Sequence, residues 1–361
     1  MSSKQQRQQQ LMLNARQCQM QMMAAKQQPS TGCNSGNPLQ QQMQPRSGTM
    51  GSKYDDLPIL EPTDVIFISE DPKSTGLVPA FFGSFESACQ HGTLSTIQSI
   101  VSSKNLTPAF LHHGLTRALR SGNIEIARYL LDSGAPIVRE TPSNIFFVPL
   151  EQQIALFELF TQYNWTPNTP GYYGSVLLPR IIKNTPLLRW FLDHGANPNL
   201  GVQQTTHDRC GGPDTSSCAA LEAAAATGGV EAVRMILDAG ANIQNGVPLH
   251  YAAGACPPGT NPHAGKVVPS REFDTSRIPV MALLVGRGAD VNQREESRHM
   301  VAQYAIVYAA MAGAVERVKW LLEHGADPYI KGNWGSAAEY ALTSGNEEIT
   351  KVIGEFTLKK A

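Results

Sequence analysis

The chain has 361 residues, a formal net charge of -1 and 42% hydrophobic residues, which is apolar enough for a large soluble fold and excludes a fibrous or wholly disordered protein. Six basic residues (Lys4, Arg7, Arg16, Lys26, Arg46, Lys53) precede the first acid, Asp55, so the rest holds 23 basic against 30 acidic residues, near -7, and no direct nucleic-acid binding is expected. No run approaches the roughly 18 apolar residues of a membrane span, and six scattered cysteines with no apolar leader point to a reducing cytoplasmic or nuclear setting.

Residues 1–55 are Gln- and Met-rich (QQRQQQLMLNARQCQMQMMAAKQQ) and then turn to Pro, Gly and Ser (QPRSGTMGS). They hold too few large apolar side chains to offset chain entropy, so a disordered basic tail is expected. Two other readings stand beside it. The run from Lys4 to Gln28 lacks Pro and Gly and suits a transient partner-binding helix; an acid-free, Arg-containing start also fits a mitochondrial presequence, against its glutamine content. Residues 56–83 read as a linker or cover segment, where Val65-Ile66-Phe67-Ile68 resembles a short strand laid over the first apolar face of the periodic region.

From residue 84 to 357 one phrase recurs, ahead of a short C-terminal tail at 358–361. It reads LRSGNIEIARYLLDSGAP at 119–136, LLRWFLDHGANPN at 187–199, TGGVEAVRMILDAGAN at 227–242, MALLVGRGADVN at 281–292 and MAGAVERVKWLLEHGADP at 311–328. Gly122 to Gly134, Gly228 to Gly240 and Gly313 to Gly325 are each 12 residues apart, the length of one short helix with its stops. Val318, Leu321 and Leu322 share one face of such a helix, and the later glycine closes it in a left-handed turn. His324 invites a chemical reading, but the matching places hold Ser133, His194, Ala239 and Arg287, so the position is structural. Asp327, matched by Asn197, Asn242 and Asp290, suits a side-chain bond to the turn backbone.

The two-helix unit, with VPLHYAA at 247–253 and LLEHGADP at 321–328, resembles the ankyrin repeat. It is most similar to the short ankyrin-repeat proteins common in filamentous fungi. Those often carry G-x-Y/W-G-S/T, seen as Gly171-Tyr172-Tyr173-Gly174-Ser175 and Gly332-Asn333-Trp334-Gly335-Ser336, and a G-W-D-x-N turn of which Asn164-Trp165-Thr166-Pro167-Asn168 is a variant. The resemblance implies an all-α solenoid of about eight helix pairs with short β-like fingers. Units open near Phe85, Gly114, Ser143, Gly174, Ala219, Val247, Tyr304 and Ser336. The third lacks the small Ala-Ala pair, and Pro179 lies where the fourth needs a first helix, so that helix is expected to be short or displaced.

Extensions at 200–217 and 255–277 are expected to project outward as loops. His207, Cys210 and Cys218 in the first and Cys256 and His263 in the second are zinc-ligand types, but their spacing fits no zinc finger. They are read as surface residues with reduced thiols, and metal binding or regulation through the loops stands as an alternative function. The stretch from Gly259 to Val267 nearly matches a phosphate-binding loop, with five residues between its glycines and Val267 where a hydroxyl belongs. No catalytic motif appears, so no enzyme and no cofactor is expected.

What remains is surface. In ankyrin stacks the first helices and finger tips form the usual docking face, so the resemblance places Gln90, His91, Arg120, Ser121, Thr227, Met311 and Thr343 there, with Tyr172, Tyr173 and Trp334 on the fingers. Trp190 and Trp320 fall in second helices and read as core. The expectation is a monomeric, non-catalytic scaffold or adaptor that recognises a protein partner, or an assembly or transcription factor acting through the tail. The repeat pattern yields one prediction: Leu321→Ala should cost about 2–5 kcal/mol from an emptied core site. Gly325→Val should destabilise too by straining the turn, both read as lowered midpoints in chemical denaturation.

Overall fold

Short helices start and stop here because the sequence supplies a cap at one end and a left-handed turn at the other. Asn123 and Asn184 accept hydrogen bonds from Ile126 N and Leu187 N at 3.1 and 3.2 Å, each capping the helix that begins at the next residue. Gly134, Gly195, Gly240, Gly288 and Gly325 each close a second helix with φ of 79–99°, where a β-branched residue is strained by about 1–3 kcal/mol.

The computed structural model describes residues 54–69, 75–205, 208–296 and 301–360. The described residues form helices and short 3-10 turns with no strand; the fingers contain only isolated bridges, at Gly201–Asp214 and Gly332–Gly335. The first two units are α1 (Phe82–His91) with α2 (Leu94–Ser103), and α3 (Pro108–Ser121) with α4 (Ile124–Asp132). In the third and fourth, 3-10 turns Thr141–Phe147 and Leu178–Arg180 replace the first helix and precede α5 (Leu150–Thr161) and α6 (Thr185–Asp193). Pro179 sits inside the shorter turn, as its missing N–H requires. Then come α7 (Ala219–Thr227) with α8 (Val230–Asp238), and α9 (Pro248–Ala253) with α11 (Ile278–Gly286), an extra helix α10 (Arg271–Ser276) lying between that last pair. The stack ends with α12 (Ala305–Met311) and α13 (Val315–Glu323), then α14 (Ala337–Thr343) and α15 (Glu347–Lys360).

Contacts run between neighbours. First helices pack in succession, as α1 on α3 and α7 on α9 on α12 on α14, and second helices do the same from α2 to α8. One continuous core from Phe85 to Ile353 results. The fourth unit is held by aromatic packing: Trp165, 3% exposed, stacks on Phe157 at 5.3 Å and meets Phe191 edge-on at 6.0 Å.

Successive turns are also tied to one another. The Asn168, Asn199 and Asn292 amides donate to the carbonyls of Gly195, Gly240 and Gly325 at 2.8–2.9 Å. Their carbonyl oxygens accept from Asn197 N, Asn242 N and Asp327 N at 2.8–2.9 Å. Each of these turns holds itself as well, since Asp327 accepts from Tyr329 N at 2.8 Å, as Asn197 does from Asn199 N and Asn242 from Gln244 N. His324 stacks on Trp320 at 3.7 Å and donates from Nδ1 to the Trp320 carbonyl at 2.8 Å; His194 repeats the contact on Trp190. Both histidines are helix-end pieces.

Several expectations are corrected. Val65 to Phe67 belong to a 3-10 turn, Pro62–Phe67, because Asp64 accepts from Leu60 N and Glu61 N at 3.0 Å and closes it. Tyr54 and Asp55, assigned by sequence to a disordered tail, pack on the repeats, while residues 1–53 lie outside the described residues. The C-terminal tail at 358–361 is instead helical through Lys360, in α15.

The largest correction concerns the end of the second extension: residues 258–266 stay mostly exposed, as expected, but Arg271–Ser276 and Arg277 pack into the stack. Asp274 on α10 meets Arg317 of α13, Nε to Oδ1 at 2.8 Å, and both are buried. Arg317 Nη1 also donates to the carbonyls of Ala253 and Ala255 at 2.6 and 2.8 Å. Arg277 reaches across to the carbonyls of Gly228 and Ala225. These carbonyls lie at and beyond the ends of the short first helices α7 and α9, where intrahelical partners run out, so buried guanidinium groups finish the helices. Burial pulls the Arg317 pKa below its usual value, against the hydrogen bond to Asp274. Arg317→Ala, which removes the partner of a buried carboxylate, should cost about 3–5 kcal/mol, and Arg317→Met with Asp274→Leu should recover only part of it, because the Ala253 and Ala255 carbonyls and the Glu316 and Arg317 amides then lose their partners, measured by urea denaturation.

Candidate functional site

Three successive fingers converge because their backbones are cross-bonded. Tyr173, with φ of 54°, donates from its N to the Arg209 carbonyl at 2.7 Å, and its own carbonyl accepts from Gln203 N at 2.9 Å. Arg139, between the second and third units, donates to the carbonyls of Cys210 and Pro170 at 2.7 and 3.3 Å. The Arg209 guanidinium lies over the Tyr172 ring at 3.9 Å. A surface with two arginines and a tyrosine hydroxyl results.

The residues just before the 3-10 turn Pro62–Phe67 lie on that surface. Asp55 pairs with Arg209 Nε at 2.7 Å. Asp56 accepts from the Tyr172 hydroxyl at 2.7 Å and from Arg139 N at 3.0 Å, with Arg139 Nε at 3.9 Å. Tyr54 accepts from Asn144 Nδ2 at 3.3 Å and meets His112 edge-on at 4.9 Å, and Leu57 is 1% exposed. Burial pushes the Tyr172 pKa up, and its hydrogen bonds to Asp55 and Asp56 push further. At Arg209 burial acts downward, but bonds to Tyr173 and Asp55 hold the pKa above its usual value. Sequence reasoning missed Arg139, Arg209 and the acid pair. A signal existed: Asp55-Asp56 is the first acid in a chain that has been purely basic until then.

The ten residues expected at a docking surface separate into three groups. Met311 and Tyr172 are buried, at 5% and 7% exposure; Met311 is corrected to a packing residue of the α12 core, while Tyr172 lies beneath Arg209 with its hydroxyl on Asp56. Arg120 and Tyr173 are partly buried and engaged, Arg120 donating to Asn144 Oδ1 at 2.8 Å with its guanidinium 4.4 Å from the Phe147 ring. His91, Ser121, Thr227 and Thr343 are exposed, Gln90 is partly so, and Trp334 is 36% exposed with its ring edge-on to His263 at 5.5 Å. Ser121, Thr227 and Thr343 spend their hydroxyl protons on carbonyls of their own helices.

The polar clusters of the extensions do not assemble. Among the described residues no group of three or more His, Cys, Asp or Glu side chains is placed to hold a metal ion. His207 lies outside them, Cys210 is disulfide-bonded rather than reduced, and burial pushes the Cys218 thiol up to about 12 and Cys256 upward too. Thiols so shifted stay protonated at neutral pH. Lys266 of the phosphate-loop-like stretch donates to the Gly345 carbonyl at 3.1 Å, and Val267 is buried. A cavity of about 120 Å³ between Arg139, Trp165, Gly171 and Arg180 holds a few waters at most. No helix among the described residues is long and apolar enough to cross a membrane.

The last two helix pairs carry a family likeness. Residues 306–353 match the family model described as ankyrin repeats (many copies). That span runs from α12 through α14 into α15, and covers the His324 turn and the Trp334 finger. No curated protein matches the chain.

His112 marks where the docked segment meets the stack. Thr141 Oγ1 accepts from Val138 N at 2.9 Å, which leaves its proton for His112 Nε2 at 2.9 Å and favours the neutral ring. Burial, with neighbouring His113, pushes the His112 pKa down to about 3. The unfolded chain, with an ordinary histidine near 6.5, therefore binds the extra proton between those values, so stability is complete above pH 6.5 and falls as pH drops toward 3. His112→Gln should make the slope of melting midpoint against pH shallower across that window; an unchanged slope would assign the proton uptake to another group.

Proposed function

We propose that the chain is a non-catalytic protein-interaction module, an ankyrin-type solenoid of eight units that serves as scaffold or adaptor and presents its first helices and fingers to a protein partner. The observation that carries this reading is the ankyrin-repeat match at residues 306–353, whose helix pairs continue, by packing and by the asparagine ties between turns, into the units before it. Ankyrin repeats generally mediate association between proteins, and a stack of units gives a rigid, extended face suited to it. The closer likeness to the short fungal repeat proteins rests on the Gly171 and Gly332 motifs and the Asn164–Asn168 turn. A monomer in the cytoplasm or nucleus fits the unpaired thiols of Cys89, Cys218 and Cys256.

The exposed candidates give the test. Thr227→Arg with Thr343→Arg places two long charged side chains on the proposed face, at positions where each lost hydroxyl bond is local to its own helix. The full chain should capture a stoichiometric protein partner on affinity purification, and the double variant should lose it with the melt within about 0.5 kcal/mol of the parent. Failure of the parent to retain any stoichiometric partner would overturn the reading.

A further inference from the structure

The segment Tyr54 to Leu57 is bound as a peptide ligand is bound. It belongs to no repeat, and the partners of its two acids stand 83 to 154 residues away on three fingers. Its contacts combine two carboxylates on arginine-bearing fingers, one aromatic ring on His112 and one buried leucine. That is the division of labour of a recognised motif, with an apolar anchor for affinity and charges for register.

We infer that the cleft of Arg139, Tyr172, Tyr173 and Arg209 is a binding site for acidic peptide segments of the aromatic-acid-acid type, which the chain fills in cis with its own Tyr54-Asp55-Asp56 and a partner protein fills in trans. This rests on the interaction-module reading and names its site and partner chemistry. The two halves of the N-terminal segment are held independently. Beyond Pro58, the turn Pro62–Phe67 is fixed by Asp64, which accepts from Thr107 Oγ1 at 2.5 Å, and by Phe67 against Phe110 at 5.1 Å. Residues 54–57 can therefore leave while 62–67 stay. The side chains of Asp55 and Asp56 keep 17% exposure and those of Arg209 and Arg139 keep 12% and 25%, so these pairs retain partial access to solvent. The 54 residues before Asp55 carry six bases and no acid, so they offer the cleft no rival carboxylate.

A tethered ligand competes at an effective concentration on the order of millimolar, so a free peptide must bind the parent weakly. The test uses the full chain and a fluorescein-labelled peptide of residues 50–60, MGSKYDDLPIL, with binding read by fluorescence anisotropy. Asp55→Ala with Asp56→Ala should bind it at least about tenfold more tightly than the parent, the factor expected when a site nine-tenths occupied in cis is vacated. Adding Arg209→Glu, or replacing both peptide aspartates by asparagine, should abolish that binding. Because the double alanine variant risks misfolding, a second measurement uses the parent alone. Saturating peptide should speed amide hydrogen exchange at residues 54–57 and leave residues 62–67 protected.

Equal weak binding by parent and variant, or unchanged exchange at 54–57, would overturn the inference and leave the segment a structural cover. Equal displacement of the peptide by heparin would overturn it too, by showing a generic anion surface. A partner captured by the full chain but not released by the peptide would sink this site while sparing the module reading.

Discussion

No helix pair in this chain can bury its own apolar face. The second helices run about nine residues and place their buried side chains on one side, as Ile126, Leu130 and Leu131 do in α4, so each pair depends on the next for its core. The irregular units are shaped by that dependence. Where first helices shrink to 3-10 turns in the third and fourth units, the lost contact is replaced from elsewhere, by Trp165 against Phe157 and Phe191. Where the sixth unit is lengthened, α10 and the Asp274–Arg317 pair fill the gap between α11 and α13.

The repeat was legible because its signals are local. The 12-residue glycine spacing, the apolar positions of α13 and the polar residue after each turn are set by one helix and its stops, and each appears in the structure where the pattern places it. The shortened helix at Pro179 was legible for the same reason, since a proline acts on its own turn. What stayed hidden was long-range and polar. Nothing in a single unit shows that Arg317 will be buried on Asp274, 43 residues away, or that Asp55 will find Arg209, 154 residues away. The end of an insertion read outward by default turned inward because it carried the charge that completes a buried pair.

The candidate surface was less legible than the fold, and for a related cause. Matching units locates a position on the stack but not its exposure, which is set by what the rest of the chain lays over it. Tyr172 holds the place of a finger aromatic and yet lies under Arg209; Met311 comes after an Ala-Ala pair and yet faces inward. Arg120 is drawn to Asn144 and Phe147 of the next unit and helps hold the third unit, whose own first helix is absent.

The asparagine ties have a consequence for how such a chain can change over generations. Asn168 reaches a turn 29 residues ahead, Asn292 one 35 ahead and Asn199 one 43 ahead, with the same bond lengths within 0.1 Å. The tie measures distance in space and ignores distance along the chain. A unit can therefore acquire new residues in its finger without shifting the alignment of its neighbours, so novelty accumulates in the fingers at little structural risk. The segment between Asn199 and Asn242 has used that freedom, and it is the one that supplies Arg209.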